Sequence, residues 1–308
     1  MGSEKDIYVV ADLHWNIDAY YENLRFLDIV DEDWNRTGWD SYLYFLGDII
    51  WDRHLDGIHI LWQIEKLKSQ ARSKKGDVFL LWWNHDYGFV LYLTTNIILN
   101  LHKSSFAGLL ELKKFAWEDY QKTMDINNLR LDKENIFKNI YNSREWKNLI
   151  NMLKNYDLIK RYNDIIFLHT NPTFEILYTL ETCSIEDLNN RFKKWIEKLL
   201  SGEFDYKDKD MISFFDLAQI FLVSNRRENI PDYKQGWIYD SLHKKGINYI
   251  INWHNWFWWL VNTMWNIKII DIDYSFWKYQ GMSEGQKSVA RITKDWNIYI
   301  WAKQINIK

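Results

Sequence analysis

Acidic, amide and imidazole side chains recur at the ends of short apolar runs in this sequence. In chain order they are Asp12 with His14, Asp48, Asn84 with His85 and Asp86, His169 and His254. Oxygen and imidazole donors suit Mn, Fe or Zn, and a carboxylate can bridge two such ions about 3.5–4 Å apart. The residue types and their order therefore predict a two-metal hydrolytic centre.

The apolar runs that precede these side chains are predicted to be buried strands. They are Ile7–Ala11, Tyr42–Leu46, Val78–Trp83, Ile165–Leu168 and Tyr249–Ile251. Helical patterns at Ile17–Leu27 and Gly57–Ser73 separate the first three, and this alternation favours an α/β fold with adjacent parallel strands. Because ligands bind beyond the carboxyl ends of strands in open α/β sheets, we expect the polar side chains to share one crevice.

A single domain is predicted over residues 1–308, with a helical insertion or cap over residues 87–162. The insertion is rich in lysine, asparagine and leucine, and its best helical segments are Leu109–Gln121 and Ser143–Tyr156. The remaining elements are predicted helices at Ser184–Leu200 and Met211–Val223, and strands at Lys268–Ile272, Ser288–Ile292 and Ile298–Trp301.

The composition of the 308-residue chain excludes several classes of protein. With 39 Lys+Arg against 42 Asp+Glu, the net charge of −3 gives no electrostatic reason to expect a nucleic-acid or membrane partner. The single cysteine, Cys183, excludes a disulfide framework, and 47% hydrophobic content excludes disorder. No secretory signal or long apolar segment is visible, so a cytoplasmic location is expected.

The ordered set of side chains resembles the calcineurin-like metallophosphoesterases, and most of all their phosphoprotein-phosphatase-like branch. The matching pieces are Asp12-Leu13-His14, Gly47-Asp48 followed by Asp52-Arg53, Asn84-His85-Asp86, His169 and His254. Each piece alone is common, whereas the set in this order spans most of the chain. The resemblance implies a β-sandwich flanked by helices.

The resemblance also implies two divalent metal ions. One would be held by Asp12, His14 and Asp48, and the other by Asp48, Asn84, His169 and His254, with Asp48 as the bridge. A hydroxide between the two ions would attack phosphorus in line.

Three catalytic residues are implied in the same way. His85 would protonate the leaving oxygen, Asp52 would orient the His85 imidazole, and Arg53 would bind phosphate oxygens with its forked guanidinium. The family places its second aspartate three positions after the bridging one, whereas Asp48 and Asp52 are four apart.

Tryptophan stands where the family has glycine in three motifs, at Trp15, Trp83 and Trp253. The chain has 19 Trp and only 12 Gly, and other tryptophans also fall in sites typical of glycine. The eight further positions are Trp39, Trp51, Trp256, Trp258, Trp259, Trp265, Trp277 and Trp296. Reading all eleven as glycine gives 23 Gly, about 7.5% of the chain and close to the usual level of about 7%.

We therefore hypothesise that the gene comes from a genome that reads UGA as glycine, and that UGA has been translated here as tryptophan. The abundance of Lys, Asn and Ile suits an AT-rich genome. The alternative is an aromatic-rich variant of the site.

The leading function is hydrolysis of a phosphomonoester, in a phosphoprotein or a small metabolite. A dinucleoside polyphosphate hydrolase is an alternative, because it shares the motif order. A metal-free, non-catalytic binding module is a second alternative, since the departures at Asp52 and at the tryptophans could end catalysis.

Overall fold

The computed structural model describes most of the chain. It covers residues 5–11, 13, 16–38, 40–47, 49, 57–82, 84–95, 144–201, 209–223, 236–252, 261–272, 289–295, 297–300 and 303–305.

The strands within these ranges form two sheets. They are β1 (Ile7–Val10), β2 (Tyr42–Phe45), β3 (Asp77–Leu80), β4 (Lys160–Tyr162), β5 (Ile165–Phe167), β6 (Tyr249–Asn252), β7 (Val261–Met264), β8 (Ile267–Asp271), β9 (Val289–Ile292), β10 (Ile298–Ile300) and β11 (Lys303–Ile305). The first sheet has the order β11-β10-β9-β1-β2-β3 and the second β4-β5-β6-β8-β7. Strands β1, β2 and β3 are parallel neighbours, as the strand–helix alternation predicts, and β5, β6 and β8 are parallel as well.

The helices connect and cover these strands. They are α1 (Ile17–Phe26), α2 (Gly57–Arg72), α3 (Asn84–Thr95), α4 (Arg144–Leu153), α5 (Phe174–Thr182), α6 (Ile185–Ser201), α7 (Lys209–Ala218) and α8 (Gly236–Lys244), and a π-helical turn, Gln219–Val223, follows α7. Helix α1 begins after Asn16, whose Oδ1 accepts the backbone N–H of Ala19 at 3.1 Å. This bond satisfies one of the amide groups that a helix start leaves without an intrahelical partner.

Alternating side chains of β1 show how the layers stack, because successive residues of a strand point to opposite faces. Ile7 and Val9 belong to an apolar cluster shared with Phe167 of the second sheet, so this face packs sheet against sheet. Tyr8 and Val10 belong to a second cluster with residues of the helices. The fold is therefore an α/β β-sandwich flanked by helices, which confirms the predicted fold class.

The stack of Tyr44 on Phe167 crosses the interior of the sandwich. Their ring centroids are 3.9 Å apart and the planes differ by 11°. Tyr44 lies in β2 and Phe167 is the last residue of β5, so this contact fixes the carboxyl ends of the two sheets relative to each other.

The five runs that carry the predicted site are all strands, with ends within a few residues of those predicted. The largest difference is the run Val78–Trp83, since β3 ends at Leu80 and Trp82 turns into the core. Three of these strands lie in the first sheet and two in the second, so the predicted site draws on both layers of the sandwich.

The predicted insertion over residues 87–162 is described in part. Helix α4 lies within it, as does β4, a strand that the sequence pattern does not indicate. The predicted helix Leu109–Gln121 lies outside the described residues, so the single domain with a cap stays a prediction. Within the described ranges no helix is long and apolar enough to cross a membrane.

Candidate active site

Asn84 is the first residue of α3 and follows β3 closely. The chain between them is fixed by backbone hydrogen bonds, from Leu81 N to Phe45 O at 3.0 Å and from Trp82 N to Asp157 O at 2.9 Å. Helix α3 is fixed in turn, because Trp195 Nε1 of α6 donates to the buried hydroxyl of Tyr87 at 3.3 Å. The position of Asn84 is therefore determined by a strand exit and by a packed helix.

His169 leaves the second sheet two residues after β5. It is 2% exposed, and the backbone N–H of the preceding Leu168 donates to the carbonyl of Ile251 in β6 at 2.9 Å. The imidazole is thus placed by the parallel pairing of β5 with β6.

The side chains of Asn84 and His169 meet. The distance from Asn84 Oδ1 to His169 Nε2 is 3.2 Å. Asn84 follows a strand of the first sheet, and His169 follows a strand of the second. The packing of the two sheets therefore brings together two residues that the sequence predicts to share one crevice.

This pair fits a divalent metal ion. Two ligands of one ion, each about 2.1 Å from it, lie about 3.0–3.4 Å apart, which matches the observed separation. An amide oxygen and an imidazole nitrogen also suit Mn, Fe or Zn. Asn84 and His169 could therefore hold one ion between them.

His85 and Asp86 follow Asn84 in the first turn of α3. His85 is half-buried, and Asp86 is completely buried. Together with burial, the Asp86 carboxylate raises the pKa of the buried Tyr156 hydroxyl well above its usual value. The three consecutive residues of the motif are thus a half-buried amide, a half-buried imidazole and a buried carboxylate.

The other predicted site residues lie outside the described residues. They are Asp12, His14, Asp48, Asp52, Arg53 and His254. Their described neighbours include Gly47, whose φ of +103° favours glycine immediately before Asp48. Among the residues that the structure describes, no three His, Cys, Asp or Glu side chains converge on one point.

Buried polar residues at the carboxyl ends of the second sheet are not indicated by the motifs. Asn171 is 9% exposed, Asn252 ends β6 with no exposure, and Asp271 ends β8 at 4% exposure. Asn252 and Asp271 are partners in the β6–β8 register. Asn252 and Asp271 are each a polar residue at the end of an apolar strand, and this pattern in the sequence could have identified them.

Comparisons with known proteins give a match in fold. No family model matches the sequence, and no curated protein does. A cold-active protein-tyrosine phosphatase of the psychrophile Shewanella sp. is 16% identical with a TM-score of 0.62, and the match covers 99% of this chain and 80% of that chain. A second structure of a cold-active protein tyrosine phosphatase has the same identity and TM-score, over 98% of this chain and 78% of the other.

A protein serine/threonine phosphatase from Saccharomyces cerevisiae is also similar, at 15% identity over 94% of this chain and 73% of that chain. The TM-score of this match is 0.46. The Shewanella phosphatase has the calcineurin-like phosphoesterase fold. The present chain shares that fold, which confirms the predicted resemblance at the level of the fold.

Proposed function

We propose that this protein is a metal-dependent phosphoesterase that hydrolyses phosphomonoesters. The observation that carries the proposal is the contact of Asn84 with His169, since it brings together an amide oxygen and an imidazole nitrogen, two types of metal ligand, that follow strands of different sheets. The fold shared with a protein-tyrosine phosphatase supports it.

In this proposal Asn84 and His169 hold one of two divalent ions. Asp12, His14, Asp48 and His254 would complete the two ligand sets, and Asp48 would belong to both. Bound Mn, Fe or Zn supplies Lewis acidity, which offsets charge on the phosphoryl group and makes a nearby water more acidic. As a neutral ligand, Asn84 adds no negative charge to repel the phosphate dianion.

The protein's own residues then handle the proton and the substrate. His85 is the general acid that protonates the leaving oxygen, and it lies half-buried in the first turn of α3, next to Asn84. Asp52 orients that imidazole, and Arg53 binds phosphate oxygens through its planar, forked guanidinium.

A panel of substrates with Mn²⁺ tests the proposal. It includes p-nitrophenyl phosphate, phosphotyrosine and phosphoserine peptides, and a dinucleoside polyphosphate. Phosphatase activity that His85→Asn lowers and the exposed control His243→Asn preserves supports the proposal. Cleavage of the dinucleoside polyphosphate alone would favour the phosphoanhydride alternative, and no hydrolysis with any metal would favour the binding module.

We also propose that several loop tryptophans are glycine in the native protein, and Trp265 supports this. Trp265 is the first residue of the two-residue turn between β7 and β8, and its φ is +54°. Two-residue hairpin turns take positive φ at this position, where glycine is favoured. The other ten tryptophans assigned from sequence lie outside the described residues.

Trp34 gives independent support, although the sequence pattern does not assign it to glycine. Its φ is +62°, and its backbone N–H donates to Asp31 O at 3.1 Å in a tight turn. A left-handed conformation costs a residue with a side chain about 1–2 kcal/mol. The codons test the proposal: UGA at positions 34 and 265 supports it, and UGG at both contradicts it.

A further inference from the structure

Two buried asparagines join the carboxyl ends of β5 and β6. Nδ2 of Asn252 donates to Oδ1 of Asn171 at 3.0 Å. Asn171 lies two residues after His169, and Asn252 lies two residues before the predicted ligand His254. The bond therefore connects the two segments of the second sheet that carry predicted metal ligands.

The loop that follows His169 is attached at further points. Thr170 Oγ1 donates to the carbonyl of Phe221 in the π-helical turn at 3.0 Å, and Thr173 caps α5 by accepting the N–H of Ile176. These bonds tie the loop to the helices. The Asn171–Asn252 bond ties it to β6, the strand against which β5 is aligned.

Asn252 occupies a position that packing alone would give to an apolar residue. The two preceding residues of β6, Ile250 and Ile251, are buried and apolar, and Asn252 itself has no exposure. Its Oδ1 is buried and has no hydrogen-bond partner among the described residues. The carbonyl half of this amide therefore loses its hydration without gaining a hydrogen bond among those residues. Because such burial costs free energy, a specific role for the other half is indicated.

We propose that Asn171 and Asn252 form a positioning pair for His169. By fixing the loop to β6, the pair keeps His169 Nε2 near Asn84 Oδ1, where both can hold the same divalent ion. Neither asparagine binds the ion; both act through His169 and through the segment that leads to His254. The link to the metal rests on the proposed function, whereas the ordering of the loop does not.

Alanine substitutions at both positions, alone and together, test this pair. Asn248→Ala is the matched control, because Asn248 Nδ2 donates to Asp164 Oδ2 at 2.7 Å where β5 and β6 begin, away from the site. The readouts are Mn²⁺ affinity by calorimetry and amide hydrogen exchange of residues 168–173, measured on folded protein.

We expect Asn171→Ala and Asn252→Ala each to weaken Mn²⁺ binding by about tenfold and to speed exchange of residues 168–173. The double variant should be no worse than either single variant, because both remove one interaction. Asn248→Ala should change neither readout. Asn171→Asp keeps an acceptor for Asn252 and should retain slow exchange.

Three results would overturn the positioning pair: additive effects in the double variant, an equal effect of Asn248→Ala, or unchanged exchange in both single variants. Faster exchange with unchanged Mn²⁺ affinity would overturn its link to the metal. A parent protein that binds no Mn²⁺ overturns the proposed function instead, and the exchange data then decide separately whether the pair orders the loop.

Discussion

Asn84 and His169 are 85 positions apart in the sequence, yet Oδ1 of the first lies 3.2 Å from Nε2 of the second. Asn84 follows β3, an edge strand of the first sheet, and His169 follows β5 of the second sheet. The stacking of the two sheets, fixed near this end by Tyr44 on Phe167, is what brings them together. The candidate site therefore depends on the sandwich as a whole.

Asn84→Asp tests the importance of a neutral ligand. The variant keeps an oxygen donor but adds a negative charge near the predicted phosphate site, so Mn²⁺ binding should be retained while KM for p-nitrophenyl phosphate rises about tenfold. Steady-state kinetics at saturating Mn²⁺ measure this. Asn155→Asp, which adds the same charge at an exposed position, should leave KM unchanged. An unchanged KM in Asn84→Asp would remove the argument for a neutral ligand.

His85→Asn tests the general acid. We expect kcat for phenyl phosphate to fall by about 10²–10⁴-fold, because phenoxide needs a proton to leave. The fall should be smaller for p-nitrophenyl phosphate, whose leaving group is stable without one. Equal losses for the two esters would contradict the role of His85 as the acid and indicate a role in binding.

Sequence reasoning finds the site strands because β1, β2, β3, β5 and β6 are short, continuous apolar runs with polar ends. It misses β4 and β7 because their exposed, polar residues give no such signal; β7, for example, exposes Asn262 and Thr263. It also cannot divide the strands between the two sheets, because that division depends on long-range strand pairing and on packing between the sheets, as in the contact of Tyr44 with Phe167.

The candidate site, too, is predicted from the sequence only in part. Asn84, His85 and His169 are predicted from residue type and position, and the structure places Asn84 beside His169. Asn171 is not recognisable, because a Thr-Asn-Pro sequence after a strand is typical of any turn. Its partnership with Asn252 appears only when β5 and β6 are aligned.

Tyr156→Phe tests how buried tyrosines limit stability in alkali. Burial, with a contribution from Asp86, raises the pKa of Tyr156 well above its usual value of 10. A raised pKa in the folded state means that stability is fully present below about pH 10 and is lost as pH rises further. The free energy of unfolding of the parent should therefore fall above pH 10.

The Tyr156 hydroxyl has no hydrogen-bond partner among the described residues. Its removal should leave the free energy of unfolding at pH 7 unchanged or raise it by about 1 kcal/mol, and should reduce the loss between pH 9 and 11. Urea denaturation at each pH measures both effects. Tyr178→Phe, at a side chain that is 48% exposed, is the control. An equal alkaline loss in parent and Tyr156→Phe would contradict the prediction.

Gly236→Ala, made alone and together with Trp265→Gly, tests whether the ring of Trp265 in the β7–β8 turn packs firmly against Gly236. The Trp265 ring lies against the buried Gly236, and a Cβ added there would clash with it. We expect Gly236→Ala to destabilise the parent by about 1–3 kcal/mol. In the Trp265→Gly background the same change should stabilise the protein by about 0.4–1 kcal/mol, because alanine reduces the conformational entropy of the unfolded chain. Equal effects in the two backgrounds, by urea denaturation, would show that the ring moves aside.

Asn84 and His169 are proposed to hold one of two divalent ions in a phosphoesterase site. Calorimetric titration of the metal-free protein with Mn²⁺ tests this most directly, with His169→Ala and the exposed control His243→Ala measured beside the parent. We expect two Mn²⁺ per chain in the parent and in His243→Ala, and the loss of one site in His169→Ala. A parent that binds no Mn²⁺, or a His169→Ala variant that binds it as the parent does, would contradict this role of the Asn84–His169 pair.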